Sequence, residues 1–155
     1  MTKENTCFFT GHRDLPCDSR QLFQKTLDTI TALYKDGCKN FICGGAIGFD
    51  TLAAYAVLEL KKSFDDVKLH LYLPCADQKK YFNDAQSERY DYIMSVCDSS
   101  KVLYPRYVRG CMHARNRAMA DASSHCVAYC LKSTGGSAYT VKYAASQGID
   151  IIFVK

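Results

Sequence analysis

Six short apolar runs alternate with five helical segments from one end of this chain to the other, and that alternation constrains the fold more than any other feature. The runs cover residues 6–10, 40–43, 67–73, 101–104, 125–131 and 150–154. Each is short enough for a buried strand and is bounded by glycine, proline or polar residues. The intervening segments read as helices over about 18–36, 50–63, 77–96, 111–123 and 137–147. The first opens on Asp18-Ser19-Arg20-Gln21, a capping-box-like start, carries Phe23, Leu27, Ile30 and Tyr34 at helical spacing, and stops at Gly37. The third places Phe82, Ala85, Tyr92, Ile93 and Val96 on one face, and Gly148 ends the fifth. Strands that alternate with helices pair in parallel, because each crossover is long enough to carry the chain back to the same edge. The expectation is an α/β fold: a Rossmann-like, doubly wound, open parallel sheet of about six strands with helices on both faces. One domain accounts for residues 1–155, with no internal repeat, low-complexity tract or linker.

In such a sheet a ligand crevice lies beyond the carboxyl ends of the strands, where the strand order reverses. Five loops are expected to open onto that edge. The first holds Thr10, Gly11, His12 and Arg13; Gly11 permits a tight turn and the others bring donors. Arg13 suits a phosphate because its guanidinium forks onto two oxygens; paired with Asp14 it reads equally as a solvated surface ion pair. The second loop, Gly44-Gly45-Ala46-Ile47-Gly48-Phe49-Asp50, joins a strand to a helix. Glycines let the backbone approach a ligand, and the first helical N–H groups are free to meet an anion. Asp50 reads either as a cap for those N–H groups or as a contact for ribose hydroxyls. The third and fourth loops are Leu73-Pro74-Cys75-Ala76-Asp77 and 104–110. The fifth, Lys132-Ser133-Thr134-Gly135-Gly136-Ser137, repeats the strand–glycine–helix device with hydroxyls added. Arg115 and Asn116 stand near the start of the fourth helix. An arginine in a first turn opposes the helix dipole, so an anionic partner is expected for Arg115 or Arg117.

Composition narrows the classes. The nine cysteines are odd in number and scattered, and no Cys-x-x-Cys occurs, so neither a disulfide framework nor a zinc site is expected. Cys7, Cys43, Cys126 and Cys130 lie in apolar runs and read as buried packing residues, whereas Cys17, Cys75 and Cys111 fall in loops. No apolar run is long enough to cross a membrane, and the first five residues lead straight into a strand. A cytoplasmic location, no membrane partner and no metal are therefore expected. The formal charge of +4 lacks the dense basic cluster of a dedicated nucleic-acid binder.

Four elements carry a resemblance to a known family. They are Thr10-Gly11-His12-Arg13, Gly44-Gly45-Ala46-Ile47-Gly48-Phe49-Asp50, Arg115-Asn116-Arg117-Ala118-Met119 and Thr134-Gly135-Gly136-Ser137-Ala138-Tyr139-Thr140. In this order, over nearly the whole length, they resemble the SLOG superfamily of Rossmann-like nucleotide-ligand proteins, in its YpsA-like branch of bacterial proteins. The DprA relatives have similar glycine, Arg-Asn-Arg and late Ser/Gly elements, which implies that the crevice could hold the phosphates of single-stranded DNA. The LOG relatives cleave nucleoside monophosphates at the ribosyl bond. Against their signature Thr134 replaces a proline, Ala138 and Tyr139 replace Gly-Thr, and Lys142 stands at the glutamate. Glycosidic cleavage needs a carboxylate at its oxocarbenium-like centre, and a lysine supplies the opposite sign. That route would need Asp50 or Asp14 as a substitute, so enzyme activity is left open.

The resemblance and the loops together give a first expectation. The chain binds a nucleotide or nucleotide-derived phosphorylated ligand, such as a nucleoside phosphate or an ADP-ribose derivative, as a sensor or regulator. Backbone N–H groups of Gly44, Gly45, Gly135 and Gly136 hold phosphate, Arg13 and Arg115 neutralise it, and Asp50 or Asn116 meets ribose or base. LOG-like phosphoribohydrolysis is the alternative and DprA-like single-stranded DNA binding the third reading. The tyrosine-rich third helix is read as a lid, a self-association face or an ordinary amphipathic helix, and a homo-oligomer is compatible with all three.

Overall fold

A computed structural model describes all residues from Met1 to Lys155. Its strands are β1 (Thr6–Gly11), β2 (Asn40–Cys43), β3 (Lys68–Cys75), β4 (Ser99–Tyr104), β5 (His125–Tyr129) and β6 (Asp150–Phe153). They form one sheet in the order β4-β3-β2-β1-β5-β6, and every neighbouring pair is parallel. The helices are α1 (Arg20–Lys35), α2 (Phe49–Ser63), α3 (Asp84–Val96), α4 (Cys111–Asp121) and α5 (Gly136–Ser146). The chain steps outward from β1 to β4, then returns past β1 to lay down β5 and β6. Right-handed crossovers put α1, α2 and α3 on one face while the chain moves one way, and α4 and α5 on the other once it reverses.

The side chains follow this division with the period of two that strands impose. Cys7 and Phe9 of β1, Phe41 and Cys43 of β2, and Val127 and Tyr129 of β5 enter the core with Leu22, Ile30, Leu33, Val57, Leu60 and Ile93. The residues between them, Phe8, Ile42, Cys126 and Ala128, enter the second core with Met119, Ala120 and Ala144. A strand buried on both faces must be apolar throughout, which is why these runs show no polar alternation. The outer strands β4 and β6 are largely exposed, and Lys101 sits on the β4 edge.

Two helices depart from the sequence reading, and so do some of the cysteines. The segment 77–96 is not one helix. A 3₁₀ turn over Gln78–Tyr81 is followed by a restart at Asn83, whose Oδ1 accepts the Gln86 N–H (2.8 Å) while Gln86 Oε1 accepts the Asn83 N–H (2.9 Å). That reciprocal cap leaves Phe82 outside α3, and only Ile93 of the expected apolar face is buried. The first helix starts at Arg20, because Asp18 turns its carboxylate onto the Arg20 backbone and guanidinium and Ser19 makes no capping bond. Its buried stripe is Leu22, Thr26, Ile30 and Leu33, with Phe23, Leu27 and Tyr34 packed at the rim. Among the cysteines, Cys75 and Cys111 prove buried although they flank loops, and Cys130 is only half-buried. All nine are free; burial pushes the Cys38 thiol up to about 12 and the Cys7 and Cys43 thiols well above their ordinary value. No helix is long and apolar enough to cross a membrane.

Asp98 fastens the end of α3 to the sheet. Its carboxylate accepts the Leu69 N–H (2.8 Å) and binds Lys61 Nζ at the end of α2 (2.6 Å). Burial raises this carboxyl, but Lys61 and the Leu69 N–H outweigh burial and hold it below its ordinary value. A depressed carboxyl contributes stability above the unfolded-state value of about 4 and loses it as pH falls through the folded value. Asp98→Asn is expected to cost about 1–2 kcal/mol at pH 7. The gap from wild type in urea unfolding should close as the pH is lowered below about 4.

Candidate ligand site at the switch in strand order

The reversal between β1 and β5 brings the loops after these strands side by side. His12 knits them together. Its N–H donates to Tyr129 O (3.2 Å), its carbonyl accepts the Phe49 N–H (3.0 Å), and its Nε2 lies 2.7 Å from the Leu131 nitrogen. A backbone N–H can only donate, so Nε2 is the acceptor and the ring proton sits on Nδ1. His12 is thus a structural clasp that keeps one N–H donor. Gly11 is required beneath it, since a Cβ there would stand 2.5 Å from the Phe49 ring.

The first glycine loop departs from expectation. Gly44 and Gly45 do not border the cavity; they are packed against the protein's own polar groups. A Cβ on Gly44 would lie 2.5 Å from the Arg115 guanidinium and 2.8 Å from Asp50 Oδ2. Arg115, 4% exposed, donates from Nη1 to the Gly44 and Tyr72 carbonyls and from Nε to Asn116 Oδ1 (2.8 Å). Gln78 Nε2 also donates to Gly44 O (3.1 Å). Gly45, at φ +74°, leaves no room between Leu73 and Gln78. Gly48, at φ +79°, begins α2 where a side chain would strike the Arg13 carbonyl. Asp50 accepts the Ala46 N–H (3.3 Å) rather than capping the first turn of its own helix. Burial pushes its carboxyl upward, and Arg115 with the Ala46 N–H pulls against it. Burial likewise pushes Arg115 down, opposed by Asp50. Asp50 is the nearby negative charge, but it forms no ion pair with Arg115 within 4 Å; the groups that accept from Arg115 are neutral. Arg115 also sits in the second turn of α4, not the first.

The second glycine loop is open. Gly135 has φ +99°, and nothing lies within 4 Å of a Cβ on Gly135 or Gly136. α5 starts without a side-chain cap, so its first backbone N–H groups keep their hydrogen-bonding capacity. These N–H groups border a cavity of about 310 Å³ at the sheet edge. Thr134, Gly135, Gly136 and Ser137 form one wall and Thr10, Gly11, His12 and Arg13 another. Ala46, Asp50, Arg115 and Asn116 complete it. Twelve of the fifteen residues singled out in the sequence thus meet at one place; Gly44, Gly45 and Gly48 stand behind it.

Lys132, Met112 and His113 also line the cavity and were missed as site residues. Met112, Arg115 and Asn116 share a face of α4 at the i, i+3, i+4 spacing, which is the signal that could have found Met112. His113 packs against Tyr139, ring centroids 4.2 Å apart, and its Nδ1 is buried without a partner. Asp50 is the single carboxylate in the lining, against Arg13, Lys132 and Arg115. Lys142 does not enter it; its Nζ donates to Ser133 O (3.2 Å) and braces the α5 loop.

A six-stranded parallel sheet with its cavity at the reversal of strand order is the architecture of a Rossmann-like protein. The family follows from the sequence matched to it: a model described as the YspA SLOG family, short name YpsA, covers residues 18–150, and the chain belongs to that family. UPF0398 proteins of Bacillus thuringiensis strain Al Hakam and Bacillus cereus strain AH187 are each 29% identical over 91 residues, 59% of this chain and 47% of theirs. The chain thus spans about half the length of these relatives. Among solved structures, the DNA processing protein A (DprA) of Streptococcus pneumoniae superposes with a TM-score of 0.70 at 21% identity. The match covers 97% of this chain and 50% of that one. The Helicobacter pylori DprA, solved to describe its single-stranded DNA binding mode, gives 0.66 at 17% identity over 96% and 64%. At these identities the likeness is one of fold.

The two glycine loops should respond oppositely to a methyl group. Gly44→Ala forces the buried Arg115–Asp50 arrangement apart and is expected to cost about 2–4 kcal/mol. Gly136→Ala adds a Cβ in open space at a helix start and should change stability by less than about 1 kcal/mol. Urea unfolding of the two variants beside wild type measures both.

Proposed function

We propose that this chain binds a nucleotide or nucleotide-derived phosphorylated ligand and acts as a sensor or regulator. The phosphate lies at the start of α5, against the N–H groups of Gly136 and Ser137, with the hydroxyls of Thr134 and Ser137 at its side. Arg13 and Lys132 supply the counter-charge. One observation carries this reading: an uncapped helix N-terminus behind a glycine with positive φ borders a cavity whose free charges are cationic. Asn116 gives its Oδ1 to Arg115, which leaves its amide NH2 as a donor to ribose or base. Relative to the reading of the bare sequence, the anion site moves from two glycine loops to one, and Arg115 and Asp50 become the frame behind it.

Binding is favoured over hydrolysis by the same geometry. Asp50 is the one carboxylate in the lining, and it is engaged by Ala46 N–H beside a buried guanidinium. Glycosidic cleavage commonly uses a pair of carboxylates, one as acid and one as base or nucleophile, and the lining offers one. A second reading, binding of single-stranded DNA, draws support from the fold shared with DprA and from the stated DNA-binding mode of the Helicobacter protein.

Isothermal titration with AMP, ADP-ribose and an eight-nucleotide oligo-dT tests these readings. The expected result is saturable binding of at least one of the two nucleotides, weakened about tenfold by Lys132→Ala, a loss on the order of 1.4 kcal/mol. No free base should appear on prolonged incubation. Binding of oligo-dT alone, with affinity falling steeply as salt rises, would put the DNA reading first. Release of base lost in Asp50→Asn would establish the hydrolase instead.

A further inference from the structure

The anion cavity does not end at Arg13. A second cavity of about 750 Å³ adjoins it and shares Arg13, Ala46 and Met112 with it. The first alone stands at the lower limit of small-molecule sites, which run from about 300 to 1,000 Å³. The second is built by the loops after β3 and β4, which the sequence reading placed on this edge without assigning them a task. Its character differs. Tyr81 and Tyr107 line it with 90% and 60% of their surfaces exposed, far more than packing tyrosines leave uncovered. Phe82, Ile47 and Met112 add apolar surface, and Lys80 and Arg106 add charge. Its single carboxylate, Asp77, accepts the Tyr107 N–H (2.9 Å) and so fixes the loop that presents Tyr107. Lys80 Nζ lies 5.5 Å from the Tyr81 ring centre.

Exposed aromatic rings among cations, with the one acid already occupied, match the needs of a flat heterocycle linked to phosphates. The ring stacks on tyrosine and the cations follow the backbone. We infer that this second cavity is the nucleobase subsite of the ligand whose phosphate sits at the start of α5, with Tyr81 and Tyr107 as stacking platforms and Arg13 at the junction. The inference rests on the phosphate placement proposed above. It implies a ligand longer than a sugar phosphate: a base separated from the anchored phosphate by a ribose and a further phosphate. A free dinucleotide-like molecule and a short oligonucleotide both have that chemistry.

The test compares ribose 5-phosphate, which lacks a base, with ADP-ribose and an eight-nucleotide oligo-dT, by titration against wild type and Tyr81→Ser/Tyr107→Ser. Both tyrosines are exposed, so the double variant should keep the wild-type melting temperature. The expected result is unchanged affinity for ribose 5-phosphate and at least a tenfold loss for the base-bearing probe that wild type binds more tightly. Loss on ADP-ribose identifies a free nucleotide as the source, and loss on oligo-dT identifies a strand. If ribose 5-phosphate binds and the double variant retains full affinity for both base-bearing probes, the subsite is overturned while the phosphate site stands. If wild type binds none of the three, the phosphate site falls and the subsite with it.

Discussion

The Arg115 guanidinium, buried against the Gly44 carbonyl and beside the Asp50 carboxylate, is the contact on which the sheet edge depends. It reaches from α4, on one side of the sheet, to the loop that leads from β2 into α2, on the other. It also touches the Tyr72 carbonyl in β3. A charge this deep is tolerated only when its donors are matched by acceptors. The Gly44 carbonyl after β2, the Tyr72 carbonyl in β3 and the Asn116 amide oxygen provide that match, and the Asp50 carboxylate opposes the charge from nearby. Gly44 follows from it, because any Cβ would occupy the space the guanidinium fills. Buried ionic groups seldom add net stability over an apolar packing, but they impose one geometry. Here that geometry ties α4 to the loop after β2 and to β3 beside the cavity.

The cavity is a consequence of chain direction. After β4 the chain crosses back to the far side of β1, so the loops leaving β1 and β5 diverge over opposite faces and a gap opens between them. His12 bridges the floor of that gap through Leu131 and Tyr129 and to the start of α2 through Phe49. The wall opposite is the uncapped end of α5. Three helices thus begin at this edge behind positive-φ glycines, α2 at Gly48, α4 at Gly110 and α5 at Gly135. They meet different fates: the start of α2 is sealed by the Arg13 backbone and by the His12 carbonyl, which accepts the Phe49 N–H, while Gly110 and Gly135 face open space and of these two Gly135 alone borders the cavity. The same local device serves packing in one place and remains available for an anion in the other.

This contrast explains what could be read from the bare chain. The six strands, the two cores and the parallel order were legible because a run such as Thr6-Cys7-Phe8-Phe9-Thr10 is apolar on both faces and flanked by glycine. The convergence of Thr10–Arg13, Asp50, Arg115–Asn116 and Thr134–Ser137 was legible because parallel sheets deliver every post-strand loop to one edge. What was not legible is which glycine faces open space and which is filled by a side chain of the protein. Gly44 and its occupant Arg115 are 71 residues apart, and no local pattern records that meeting. The break at Asn83 was overlooked for the opposite reason, since its signal is local. Asn83-Asp84-Ala85-Gln86 has the spacing of a capping box, the signal read at Asp18–Gln21, but it lies inside a longer helical pattern that masks it.

The exchange of a glutamate for Lys142, set against the LOG pattern, takes its meaning from this frame. Lys142 does not place a positive charge in the cavity; its ammonium donates to the Ser133 carbonyl, nine residues earlier in the loop that precedes α5. That bond stiffens the loop whose N–H groups remain free. A loop held in this way keeps its donors aligned before a ligand arrives, so less ordering entropy is lost on binding. Lys142 therefore puts no charge into the cavity and stiffens the loop on which the proposed phosphate site rests. With Asp50 Oδ2 held by the Ala46 N–H, that end of the cavity is bordered by uncapped N–H groups and cations, and the proposal of binding stands on that arrangement.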